Sequence, residues 1–144
     1  MKVCILGALD GTVFEDSLKK FYEDIVGLLS SMNTESCLFD QHPDSEKYLN
    51  LTPKSVYQII SDQVVRSSLV IAHVRTVSHD VGMGIEIANS VHIPVVLIHE
   101  PGAGISRMLL GNPAVITEIV FVDYRDALCQ LRMFLHEYLI NHPN

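Results

Sequence analysis

Five short apolar runs, separated by stretches with helical spacing, constrain the fold of this chain more than any other feature. The runs lie at residues 2–6, 36–40, 69–74, 94–99 and 119–122, and their brevity and branched residues predict buried strands. Between the first two, Leu18, Phe21, Tyr22, Ile25, Leu28, Leu29 and Met32 recur on one face of a helix expected over residues 14–32. Thr52 and Pro53 read as the cap and first turn of a helix running to about residue 67, with Val56, Ile59, Ile60 and Val64 turned inward. A short helix is expected over 105–110, ended by Asn112 and Pro113. A closing helix over 123–140 carries Ala127, Leu128, Leu131, Phe134, Leu135 and Tyr138 as its apolar stripe.

Strands that alternate with helices pair in parallel, with helices on both faces. The expected architecture is therefore α/β: one flavodoxin-like (Rossmann-like) domain over residues 1–144, built on a five-stranded parallel sheet. The polar stretch 41–51 is the one loop long enough to act as a lid. A formal net charge of −7 and the lack of any basic run argue against a grip on a nucleic acid polymer. Cys4, Cys37 and Cys129 are odd in number and lack CxxC spacing, which reads as reduced core residues of a cytoplasmic protein. The apolar runs are too short and too interrupted to predict a membrane span.

The chemistry concentrates in Asp80-Val81-Gly82-Met83-Gly84-Ile85-Glu86, just after the third apolar run. Two glycines where a strand hands over to a helix form a hollow at the carboxyl edge of the sheet, the usual ligand position in open α/β folds. The glycine turn after the first strand, Gly7 to Gly11, is expected beside it. Glu86 is expected in the first turn of the following helix, where it is either a catalytic carboxylate or an ordinary helix-start carboxylate. Asp80 brackets the other end of the motif, and its plain reading is an N-cap of that helix. The pattern is not a phosphate-cradling loop, because no lysine follows the glycines. Nor is it a dinucleotide fingerprint, because Ile87 stands where the third glycine belongs.

Residues 80–86 resemble the D-x-G-x-G-x-E signature of the nucleoside 2-deoxyribosyltransferase family, which includes the 2'-deoxynucleoside 5'-monophosphate N-glycosidases. Residues 105–111 and the turn from Gly7 to Gly11 are similar to further segments of that family. The resemblance implies cleavage of the N-glycosidic bond of a 2'-deoxynucleoside or its 5'-monophosphate, with Glu86 as nucleophile and Asp80 as the base-side acid. It implies Gly7, Gly11, Gly82 and Gly84 as the floor of the pocket, Ser78 and Ser106 near the 5' end, and Tyr57 as a wall. It also implies no cofactor, no metal and a homodimer or larger even oligomer in which Ser106 reaches the neighbouring site. A further aspartate of the family falls on Ile60 here, and the phosphate-binding branch tends to have serine where Asp80 stands.

Other residues have plainer readings. His73, His79, His92 and His99 show no HxxxH or HxH spacing, so a zinc site is not expected. His73, inside a strand, reads as a satisfied core residue, and His79 as a loop residue beside the pocket. Ser78, His79 and Asp80 are triad residue types, but sequence neighbours do not reach triad geometry. Two rival functions stay open: base exchange between nucleosides, and a nucleotide-binding module without catalysis.

Overall fold

The computed structural model describes residues 1–7, 16–39 and 50–142. Strands β1 (Lys2–Gly7), β2 (Glu35–Phe39), β3 (Leu69–His73), β4 (Val95–His99) and β5 (Val115–Val120) form one sheet in the order β2-β1-β3-β4-β5. Every pairing is parallel. The helices are α1 (Asp16–Ser31), α2 (Pro53–Val65), α3 (His79–Ser90), α4 (Arg107–Leu110) and α5 (Tyr124–Asn141). The expected flavodoxin-like α/β architecture is thus the observed one. Gly11 and most of the stretch expected as a lid lie outside the described residues.

Both faces of the sheet are buried at its centre, so β3 and β4 are buried along their whole length, and alternate side chains feed two separate cores. Val3, Ile5, Leu69, Ile71, Val96 and Ile98 pack with the inward stripes of α1 and α5. Cys4, Leu6, Val70, Ala72, Val95 and Leu97 pack with Val64 of α2 and with Val81, Ile85 and Ala88 of α3. The caps follow the sequence: the Thr52 hydroxyl accepts from the Ser55 N–H at 3.2 Å, and the Asp123 carboxylate from the Asp126 N–H at 2.8 Å.

Two expectations shift. The fifth strand begins at Val115, four residues ahead of the position expected from the sequence. As an edge strand it is buried only in part, its register with β4 slips between Val95 and Val96, and Thr117 and Glu118 interrupt its apolar pattern. Of the cysteines, Cys4 is buried, Cys37 is half-buried and Cys129 is exposed on α5, so the core reading fails for Cys129.

The chain reverses its direction of sheet growth at β1, which has β2 on one side and β3 on the other. Gly7 and His73 are paired at the carboxyl ends of β1 and β3, the place where such folds open a crevice. A Cβ on Gly7 would run into the hydroxyl of Tyr22 from α1. That hydroxyl lies 3.0 Å from Nδ1 of the fully buried His73. Burial pushes the Tyr22 phenol up, so it keeps its proton beside Nδ1. On the other side of the ring, Nε2 faces a Glu100 carboxylate oxygen at 3.6 Å. The His73 ring holds the Glu100 carboxyl below its ordinary range, helped by the charge of Arg75. Phe21, Phe121 and Tyr124 close over this group, with Phe21 and Tyr124 stacked at 4.3 Å between ring centroids.

Candidate active site

One residue beyond His73 the chain crosses to the opposite face, and Val74 lines a cavity of about 650 Å³. Its walls come from the turn 75–78, from the His79, Gly82, Met83 and Glu86 side of α3, and from Gly104, Ser106, Met108, Leu109 and Asn112. Glu86, the expected nucleophile, is therefore an exposed wall residue of this cavity.

Its position on the helix differs from the expectation. The hydroxyl of Ser78 caps α3, accepting from the Val81 N–H at 3.4 Å, so the helix starts at His79 and swallows both glycines. Glu86 falls in the third turn, beyond the reach of the positive helix start. The first-turn carboxylate is Asp80, which is inside the helix and is not its cap. What steadies Glu86 is instead a pair of amides. Asn89 Nδ2 donates to Oε1 and Oε2 at 3.2 and 3.3 Å, and Asn112 Nδ2 donates to Oε2 at 3.0 Å.

A glycine inside a helix costs roughly 1 kcal/mol relative to alanine, so both glycines need a reason. Gly84 has one in packing: a Cβ there would stand 2.6 Å from a methyl of Leu6 on β1. Its absence lets α3 lie directly on the strand. Gly82 has none of that kind, since a Cβ would meet nothing within 4 Å, and it forms part of the cavity wall.

Asp80 does not face the same hollow as Glu86. It lines a second one, of about 320 Å³, with Leu51, Pro53, Val56, Tyr57 and Ile60. Met83 lines both hollows and stands between them. The structure thus gathers Glu86, Ser78, Gly82 and Ser106 on one side of Met83, and Asp80, Tyr57 and Gly84 on the other. Gly7 lines neither; its missing side chain accommodates Tyr22. Ser106 lines the cavity of its own chain and also caps α4, its Oγ accepting from the Met108 N–H at 3.2 Å. Asn112 is legible in the sequence only as a helix breaker. Its contact with Glu86 spans 26 residues, and no local pattern announces it.

Among the described residues no group of three or more His, Cys, Asp or Glu side chains is placed to hold a metal ion. His99 is tied into the sheet, its ring nitrogens 2.8 Å from the Glu100 carbonyl and 2.7 Å from the Glu118 carboxylate. No helix among the described residues is long and apolar enough to cross a membrane.

No protein-family model and no curated protein matches the sequence. Solved structures match its backbone. The chain is similar to the CMP N-glycosidase BcmB of Clostridium botulinum, with a TM-score of 0.72 and 16% identity over 93% of this chain and 99% of that one. That likeness is one of fold. It is shared too with BlsM, at a TM-score of 0.72 and 18% identity, covering 99% of this chain and 94% of that one. A 2-deoxyribosyltransferase from Bacillus psychrosaccharolyticus follows at 0.60 and 14%, covering 89% and 90%.

Proposed function

We propose that this chain cleaves the N-glycosidic bond of a 2'-deoxynucleoside or its 5'-monophosphate, with Glu86 as the attacking carboxylate. The observation that carries the reading is the placement of Glu86, exposed on a cavity wall and held by two amides. In the first step a Glu86 oxygen bonds to the anomeric carbon as the carbon–nitrogen bond breaks, and the electron pair leaves with the base. Asp80 supplies the proton that the base takes up. Water then attacks the same carbon, the bond to Glu86 breaks, and the proton released from water returns to Asp80. Two displacements at one carbon retain its configuration.

The paired hollows suit such a substrate. The sugar would lie against Glu86, with Ser78 and a neighbouring copy's Ser106 toward its 5' end. The base would lie across Met83, between Tyr57 and the apolar wall, with Asp80 at its edge. A homodimer or larger even oligomer, in which Ser106 serves a neighbouring copy's sugar pocket, belongs to the same reading.

The test is a product analysis with a panel of deoxynucleosides and deoxynucleotides. Free base and free sugar are expected, with Glu86→Ala inactive; full turnover in that variant would remove the proposal. Adding a different free base separates hydrolysis from exchange, because only exchange yields the hybrid nucleoside. One observation favours binding without cleavage: Ile60 leaves an aliphatic wall where the family resemblance calls for an aspartate. Saturable nucleotide binding with no free base after long incubation would select that reading.

A further inference from the structure

We propose that Asn112 is a positioning residue that fixes which oxygen of Glu86 attacks; the inference rests on the reading of Glu86 as nucleophile. A glutamate at the surface of a helix has three rotatable bonds, and attack needs one oxygen held close to the anomeric carbon in a narrow range of directions. The two amides around Glu86 restrain it differently. Asn89 stands three residues further along the same helix, so it moves with Glu86 and contacts both oxygens almost equally, at 3.2 and 3.3 Å. Asn112 comes from the connection between α4 and β5, and its Nδ2 donates to Oε2 alone, at 3.0 Å.

Asn112 is itself anchored. Its amide oxygen accepts from the Ala114 N–H at 2.9 Å, across Pro113, whose ring stiffens the turn. One end of the amide is thus bound to the backbone at the start of β5, and the other end holds Oε2. With Oε2 taken by two donors, at 3.3 and 3.0 Å, and Oε1 by one, at 3.2 Å, the geometry assigns Oε1 as the oxygen presented for bond formation. Asn112 touches no reacting atom in this arrangement and acts only through Glu86.

The bond to Ala114 also gives Asn112 a purely structural role, and two variants separate the roles. Asn112→Ser and Asn112→Asp both keep an oxygen that can accept from Ala114 N–H. Neither keeps the amide donor, and the aspartate sets a second carboxylate against Glu86. The expected result with a cleaved deoxynucleoside or deoxynucleotide is a fall in kcat of about 10- to 100-fold in Asn112→Ser, with KM little changed. A larger fall is expected in Asn112→Asp, with both melting temperatures near that of the parent chain. If both variants keep the parent kcat while Glu86→Ala is inactive, Asn112 is a turn residue only, and the reading of Glu86 survives. Asn112 is equally reduced to a turn residue if kcat falls only in step with the folded fraction. If Glu86→Ala retains full turnover, the nucleophile reading fails and the role of Asn112 goes with it.

Discussion

At the carboxyl ends of β1, β3 and β4 the two faces of one sheet are finished in opposite ways. Toward α1 and α5, Tyr22, His73, Phe21, Phe121 and Tyr124 fill the space, and the polar atoms of Tyr22 and His73 are turned on each other. Toward α3 the space is left open, and polar groups line it: Ser78, Glu86, Ser106 and Asn112. The switch takes one peptide unit, since His73 points to the closed face and Val74 to the open one. A strand of period two lets a fold place a rigid polar core directly behind a hollow, and the rigidity on one side supports precision on the other.

That contrast can be broken by substitution, and the largest effect is expected on the open face. Glu86→Gln should lower kcat by about 10⁴-fold if a covalent intermediate forms, with an unchanged melting temperature, because the side chain is solvent-facing. Steady-state kinetics and a thermal melt on one preparation check both halves. On the closed face the balance should invert. Tyr22→Phe strips His73 Nδ1 of its hydrogen bond to the phenol in a fully buried site, which costs about 1–3 kcal/mol of stability, measured by urea unfolding.

Between the faces stand the two helical glycines, and alanine should distinguish them. Gly84→Ala pushes α3 off Leu6 and should destabilise by about 1–3 kcal/mol. Gly82→Ala meets no neighbour and should stabilise by about 0.5–1 kcal/mol, while narrowing the cavity and raising KM. Equal unfolding midpoints for the two variants would show that close packing on β1 does not explain Gly84.

The smallest effect concerns the partly exposed Glu100. Its carboxyl is held below the ordinary range by His73, so the stability it adds is fully present above the unfolded-state value of about 4.3. That stability is lost as pH falls through the lower, folded-state value. Glu100→Gln should therefore lose less stability than the parent chain between pH 5 and pH 3. Parallel urea midpoints across that range would rule the contribution out.

Much of this is legible in the sequence because the elements announce themselves locally. Thr52-Pro53 starts its helix where its side chains predict, and four apolar runs become strands within a residue of their expected places. Three things are not legible, for three physical reasons. The start of β5 is hidden because an edge strand alternates between core and solvent and lacks a solid apolar run. The start of α3 is masked because two glycines suggest a turn, whereas the Ser78 cap outweighs their helix cost once Gly84 is pressed against Leu6. The role of Asn112 is invisible because a long-range hydrogen bond leaves no periodic trace. The motif itself can be seen in the residues, and Glu86 does lie on an open wall; the separation of Asp80 into its own hollow cannot be seen there.

The tight fit of the Tyr22 ring against the bare backbone of Gly7 ties two distant sites into one unit of inheritance. In any chain descended from the same ancestor, a methyl at the first site demands a smaller or displaced ring at the second. Gly7→Ala alone is expected to misfold or fold weakly, and a compensating small residue at position 22 would recover it only by leaving His73 without its phenol. A glycine that looks like a ligand's doorway is, in this molecule, the keyhole for its own tyrosine.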